Sequence, residues 1–273
     1  SGSGIDIDCV KVISSRHQLR SRIFYFPDGS RTDLVHEARD IITERIAENL
    51  DLLTEYPAMG SPLHRKIWPI FTPYSSQLPK NLDEVRGAHL APGSLGNNRE
   101  LVSSIKELSE ERILVSFDWP WWDWDCEGDD DGDLLSKIDY LMPSIEEANI
   151  YASAHRQNAN RALRILSRKY DLSAVLIKKG SVGSSILVDP GGKWVDIPVF
   201  PTNVKDPTGA GDAFCGGFQV GLFETGDPVQ AALYGAVSAS FVIEEFGPMH
   251  ACLVEPKDAR HRLNKIRNMM GDS

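Results

Sequence analysis

The run Asp206-Pro207-Thr208-Gly209-Ala210-Gly211-Asp212-Ala213-Phe214-Cys215-Gly216-Gly217-Phe218 brings together residue types that chemistry can use. Gly209, Ala210 and Gly211 form a tight turn without large side chains, so a ligand can approach the backbone closely. The turn runs straight into a helix, whose first N–H groups and dipole favour an anion. Asp212 stands at the same turn, where its carboxylate can accept the proton of a hydroxyl attacking a bound phosphate. Phosphoryl transfer requires mainly positioning and charge stabilisation, and this segment supplies both. Gly216, Gly217 and Gly221 continue into the helix at a cost of about 1 kcal/mol each relative to alanine. Close approach of a ligand or a neighbouring backbone would justify them. Read from the residues alone, an ordinary strand–turn–helix junction stays open as an alternative.

Other chemistries fail on their own patterns. A dinucleotide GxGxxG would need glycine where Phe214 stands, no lysine follows a glycine in P-loop spacing, and HExxH and GxSxG are absent. An EF-hand frame begun at Glu127 places Gly132 well but puts Ile138 where a bidentate glutamate is required, leaving a solvated acidic loop. His36, His64, His89 and His250 show no ligand spacing and read as structural or surface residues. The stretch from Asp118 and Trp119 through Trp121, Trp122 and Trp124 has two readings. It is an aromatic wall for a sugar or nucleoside, or a hydrophobic plug or oligomer contact.

The elements that must position these residues follow from periodicity. Ile23, Tyr25 and Phe26 lead into Pro27-Asp28-Gly29-Ser30, a hairpin signal. Leu34, Ala38, Ile41, Ile42, Ile46, Leu50 and Leu53 recur at helical spacing, and 57–79 is an irregular excursion. From there short apolar strands alternate with amphipathic helices: strands at 88–91, 113–117, 138–142 and 174–177, helices at 97–111, 144–151 and 157–170, and a hairpin of 184–188 with 194–200. That alternation predicts an α/β fold with a mostly parallel sheet covered on both faces, its ligand at the carboxyl ends of the strands. Aspartate at the N-cap and proline in the first turn start a further helix at Asp227-Pro228.

Composition narrows the classes further. The 273 residues are 41% hydrophobic and carry a net charge of −10, ordinary for a globular protein and unfavourable for nucleic acid or an anionic membrane surface as main partner. Cys9, Cys126, Cys215 and Cys252 are far apart and read as free thiols, which points to a reducing, cytoplasmic setting. No apolar stretch is long enough to span a membrane, and Ser1-Gly2-Ser3-Gly4 reads as a flexible linker.

The run from Asp206 to Phe218 matches, without a mismatch, the C-terminal motif of the PfkB (ribokinase-like) carbohydrate kinase family, and the order of elements resembles that family over about the last two thirds of the chain. The resemblance implies a ribokinase-like three-layer α/β sandwich, with a small β-rich lid over 5–35 and the α/β domain over 36–273. It implies an ATP-dependent kinase that transfers the γ-phosphate to a sugar hydroxyl with Mg2+ present. Asp212 would then be the catalytic base, with Gly209, Ala210 and Gly211 as the anion hole. Lys179, Gly180 and Gly183 resemble the family's glycine turn at the nucleotide, with Thr208 beside them. The small-residue helix through Ala239 to Gly247 resembles the one flanking the adenine, although tight helix packing explains its composition equally well. Glu147 matches the Asn-x-x-Glu motif linked to magnesium, while Ser144 replaces the asparagine. Asp118 and Trp119 stand where relatives carry a short Asp-x-Asn-x-Arg run, and are candidates for substrate binding. The family's Gly-Gly-x-x-x-Asn motif is not found, so the expected fold lacks the usual N-terminal segment. The alternative function is therefore a non-catalytic nucleotide- or sugar-binding relative. Lid strands of the family pair between subunits, which implies a homodimer.

Overall fold

A computed structural model describes residues 23–26, 31–42, 69–119 and 132–271. The hairpin signal before residue 32 is realised as strands β1 (Phe24–Tyr25) and β2 (Arg31–Thr32), antiparallel with Phe24 opposite Thr32. The helix expected from Leu34 onward appears among the described residues only as a 3-10 turn at Arg39–Ile41. Trp121, Trp122, Trp124, the acidic run up to Asp131, Cys9 and Cys126 lie outside the described residues.

Six strands form the central sheet in the order β3 (Gly87–Leu90), β4 (Leu114–Phe117), β5 (Tyr140–Leu141), β6 (Ala174–Lys178), β7 (Ser184–Leu187) and β8 (Val195–Ile197). The first three pairings are parallel and the last two antiparallel. The sheet is therefore mixed, with its parallel half joined by helical crossovers and its C-terminal half by short turns. Helices α1 (Leu95–Leu108), α2 (Gly132–Leu135), α3 (Ile145–Ala154) and α4 (Ala159–Lys169) supply those crossovers. Helices α5 (Ala210–Thr225), α6 (Pro228–Val242) and α7 (Pro256–Gly271) follow the last strand.

Successive strand side chains point to opposite faces, and this alternation sorts the core into two layers. Val115, Phe117, Leu141, Val175 and Ile177 pack with Leu101, Ile105, Ala148 and Leu163 of α1, α3 and α4. Tyr140, Met142, Ala174 and Leu176 pack on the opposite face with Phe214, Phe218 and Leu222 of α5 and with Ala232 and Val237 of α6. The same alternation sends His89, Ser116, Asp118 and Lys178 to the α5 side, at the carboxyl ends of β3, β4 and β6.

Helices α5 and α6 approach at backbone distance. A Cβ on Gly217 would lie 2.7 Å from Ser238 Cβ and from the Tyr234 carbonyl, one on Gly221 2.6 Å from Ala231 Cα, and one on Gly235 2.8 Å from the Phe214 carbonyl. Helix contact thus explains those glycines. Gly216 has nothing within 4 Å of its Cβ position, and nothing in the structure explains it. No helix among the described residues is long and apolar enough to cross a membrane.

Gly221→Ala should lower stability by about 2 kcal/mol or more through overpacking, whereas Gly216→Ala should leave it unchanged or raise it by up to about 1 kcal/mol. Urea denaturation of the two variants checks this. Equal losses at both positions would show that helix contact is not what selects Gly221.

Candidate active site

The turn that ends in α5 holds the first part of the site. Gly209 adopts φ +83° as the left-handed N-cap of α5, a conformation that favours glycine. The Asp206 carboxylate accepts from the Thr208 N–H at 3.0 Å and closes the turn before it. Helix geometry leaves the N–H groups of Ala210, Gly211 and Asp212 without intrahelical acceptors. Ala210 donates instead to the Pro207 carbonyl at 3.2 Å, so the groups left for an anion are those of Gly211 and Asp212. This corrects the expectation that Ala210 supplies a backbone donor; its small side chain lines a cavity instead. Asp212 stands exposed in the first turn of α5.

Beneath the turn lies a polar cluster that joins Asp118, a candidate from the sequence, to residues the sequence pattern did not single out. Lys178, at the end of β6, forms an ion pair with Asp118 just past β4, and its Nζ is 3.7 Å from Cys215 Sγ. A Cβ on Gly211 would sit 3.6 Å from the same Nζ, so the ammonium lies directly under the turn. Burial works against the Lys178 charge, but Asp118, Cys215 and Glu147 more than offset it and hold its pKa above the ordinary lysine value. Burial, together with Asp118 and Asp212 and against the pull of Lys178, pushes the Cys215 thiol up to about 12, so it stays protonated. The ligand atoms of His89, Asp118 and Cys215 lie within 4.8 Å of one another, a spacing that could suit a metal ion. Lys178 already occupies that centre with its own positive charge.

Ser116 and Gln219 orient His89. The Gln219 amide donates to Ser116 Oγ at 2.7 Å and to the Ala88 carbonyl at 3.0 Å. Ser116 Oγ lies 2.8 Å from His89 Nδ1 and ties down one side of the ring. The other ring nitrogen, Nε2, is buried without a partner among the described residues, as is Asp118 Oδ1. Burial lowers the His89 pKa despite the nearby Asp118, keeping the ring neutral. On α5, Asp212, Cys215 and Gln219 follow one another at helical spacing and present a single stripe to these strand ends.

Glu147 belongs to the N-terminus of α3. Its carboxylate accepts from the Ser144 N–H at 2.6 Å while Ser144 Oγ accepts from the Glu147 N–H at 3.3 Å, a reciprocal cap that accounts for serine at 144. Burial and the neighbouring Asp118 raise its pKa to about 7. The Glu147 carboxylate, with one oxygen held by the Ser144 N–H, is a hard donor of the kind magnesium takes, whereas Asp118 is already paired with Lys178.

A cavity of about 510 Å³ opens on the other side of the turn. Gly180 and Gly183 of the glycine turn, Phe200, Ala210 and Phe214 line it, as does Ala239 of α6. Ala236 also faces it, so α6 packs its glycine against α5 and turns small side chains to the cavity. Tyr25 and Phe26 of the hairpin close one side, and Thr208 Oγ1 lies 3.3 Å from the Tyr25 hydroxyl. Three expected members do not themselves line it, although Thr208 touches its Tyr25 wall. Lys179 turns away to pair with Asp196 at 2.9 Å on β8, Thr208 meets the hairpin, and Gly247, with φ +75°, precedes the 3-10 helix Pro248–Leu253. Trp119 is a further correction: it is 2% exposed and packs on the Tyr151 ring at 4.9 Å between centroids. An indole enclosed in the core has no face to offer a substrate, so Trp119 supports α3.

Layers, mixed sheet and turn-capped helix define an α/β protein of the ribokinase fold, and solved structures agree. A nucleoside kinase from Methanocaldococcus jannaschii superposes with a TM-score of 0.53 at 26% identity, covering 70% of this chain and 60% of that one. A fructokinase from Vibrio cholerae O395, solved with fructose, ADP and a calcium ion, gives 0.56 at 18% identity over 70% and 64% of the two chains. Residues 90–255, more than half of the chain, match the model of the pfkB family of carbohydrate kinases, and the chain belongs to that family. In sequence, the M. jannaschii nucleoside kinase is 34% identical over 113 residues, 39% of this chain and 36% of that protein. An uncharacterized sugar kinase from Archaeoglobus fulgidus is 29% identical over 161 residues, 58% of this chain and 61% of that one. The chain thus spans less than two thirds of the length of these curated relatives.

The raised pKa of Glu147 sets a pH dependence. A carboxyl that holds its proton more tightly folded than unfolded contributes stability that is present below the unfolded value and lost as pH rises through about 7. Glu147→Gln keeps an acceptor for the Ser144 N–H but removes the titration. Without divalent cations, its Tm relative to the parent should rise on the order of 5 °C between pH 5 and pH 8. A Tm difference that does not change with pH would contradict the account.

Proposed function

We propose that this chain carries the phosphoryl-transfer machinery of an ATP-dependent kinase whose acceptor is a hydroxyl of a sugar or nucleoside. The observation that carries the reading is the turn at Gly209, which leaves the Gly211 and Asp212 N–H groups without acceptors and exposes the Asp212 carboxylate in the same helical turn. In this reading the nucleotide lies in the cavity between the glycine turn and α6, with Gly180, Gly183 and Ala239 against it. Its terminal phosphate rests on the N-terminus of α5. Asp212 takes the acceptor's hydroxyl proton as the oxygen forms a bond to the γ-phosphorus. The bond from that phosphorus to the β–γ bridging oxygen breaks, and ADP leaves with the electron pair. Glu147 is the residue that would hold magnesium through water, and the ion when bound neutralises phosphate charge.

Both acceptor classes are kept for a reason in the comparisons. The relatives include a nucleoside kinase and a sugar kinase, and the part of the relatives that this chain does not span is outside its description. His89 Nε2 and Asp118 Oδ1 offer the acceptor a ring nitrogen and a carboxylate oxygen, both buried without a partner among the described residues and suited to hydroxyl groups.

The test is ADP release from magnesium-ATP with a panel of sugars and nucleosides, with Asp212→Asn as comparison. Acceptor-dependent release should fall by roughly 10³-fold or more in the variant, with nucleotide affinity unchanged. Nucleotide binding without acceptor-dependent release by either protein would replace the kinase reading with that of a non-catalytic binding relative.

A further inference from the structure

We propose that His89, Asp118 and Cys215 form a binding site for a zinc-class divalent ion, and that an ion held there excludes the hydroxyl acceptor; the exclusion rests on the kinase reading, the binding does not. The three residues come from β3, from the end of β4 and from α5, and one donor atom of each lies within 4.8 Å of the other two. In tetrahedral zinc sites the donors stand about 2.0–2.3 Å from the ion and so roughly 3.3–3.8 Å from one another, which these side chains reach by closing about 1 Å. Two of the three donors have no partner among the described residues: His89 Nε2 and Asp118 Oδ1 are both buried and unpaired. Leaving such atoms unpaired costs free energy that a ligand would recover. His89 is also held from behind, as ligating histidines are. Its Nδ1 lies 2.8 Å from Ser116 Oγ, which accepts from Gln219 Nε2 at 2.7 Å, so the ring is fixed and Nε2 is the atom left to coordinate.

The Lys178 ammonium at this centre leaves those donors open. It takes Asp118 Oδ2 and lies 3.7 Å from Cys215 Sγ, so the carboxylate bridges two cations and the ammonium can donate to the sulfur once that is a thiolate. As the metal–sulfur bond forms, the thiol proton leaves to water. Asp212 faces both His89 and Cys215, and Glu147 faces Lys178. Three carboxyl groups and the thiolate thus surround one ammonium and one divalent ion. A set of one nitrogen, one oxygen and one sulfur suits zinc or cobalt, whereas magnesium takes oxygen alone. With three protein donors a further position on the ion stays open. His89 Nε2 and Asp118 Oδ1 are the atoms that the kinase reading gives to the acceptor, so ion and acceptor compete for them.

The experiment titrates Co2+ into the reduced, unsubstituted chain and into Cys215→Ser, Ser116→Ala and Cys252→Ser, with Mg2+ present throughout, and follows absorption. The unsubstituted chain should show a thiolate-to-cobalt charge-transfer band in the near ultraviolet and d–d bands of tetrahedral intensity, both abolished by added Zn2+. Cys215→Ser should lose the charge-transfer band. Ser116→Ala should keep it while binding the ion roughly 10- to 100-fold more weakly. Cys252→Ser, at an exposed thiol, should match the unsubstituted chain. Cobalt bound without that band, the same band in Cys215→Ser, or no binding at all overturns the site. If Cys215→Ser does not fold, Ser116→Ala decides, and unchanged affinity there overturns the site. In acceptor-dependent ADP release, Zn2+ should inhibit the unsubstituted chain and lose potency by about tenfold or more against Cys215→Ser. Equal inhibition of both proteins overturns the exclusion. If the unsubstituted chain releases no ADP with any acceptor, the kinase reading falls and the exclusion with it, while the cobalt spectrum still decides the ion site.

Discussion

The Lys178–Asp118 ion pair is the interaction on which the arrangement of the site depends. Its partners come from β6 and from the end of β4, with β5 between them, so one contact fixes the carboxyl ends of three neighbouring strands. Little water reaches the pair, and removing one partner would strand a charge at a cost of about 3–5 kcal/mol. Cys215 lies against it from α5, and the turn at Gly209 to Gly211 lies over it. Asp212, one helical turn before Cys215, is thereby held at a fixed place relative to the sheet. The acceptor-free N–H groups, the carboxylate beside them and the charge below share one support.

A second constraint is the backbone approach of α5 and α6. Without side chains at Gly217, Gly221 and Gly235 the helices meet closely enough that α6 brings Ala236 and Ala239 to the cavity beside the turn. A wider separation would move that wall away from Ala210 and Phe214. The helix pair thus sets the width of a ligand cavity while packing as core, and one set of small residues meets both demands.

Local features of the fold were legible in the chain. The Asp206 to Phe218 run carries its turn, its helix start and its carboxylate within a few residues, so no distant contact is needed to read it. Strands and helices from residue 87 onward follow their periodicities closely. Lys178, His89 and Ser116 were less accessible because they meet only through sheet order. The signal nonetheless existed: in Val115-Ser116-Phe117-Asp118 and in Ala174 to Lys178, polar residues occupy the positions that alternation assigns to a single face. Trp119 misleads because tryptophan beside a strand end suits a binding wall and a core equally, and only the position of α3 decides. That Ala210 spends its N–H on Pro207 is likewise a matter of turn geometry, which residue types leave open.

The change from parallel to antiparallel pairing at β6 has a kinetic consequence. The β6–β7–β8 meander and the α5–α6 pair close over short stretches of chain, whereas β3 to β6 must wait for their helical crossovers. Loop-closure entropy favours the C-terminal half as the earlier part to form. Lys178 belongs to that early part and Asp118 to the later one, so the buried pair is made as the two halves join. An interaction completed after the rate-limiting barrier slows escape from the native state more than it speeds arrival. Where that joining follows the barrier, the contact that organises the site also acts as a latch against unfolding.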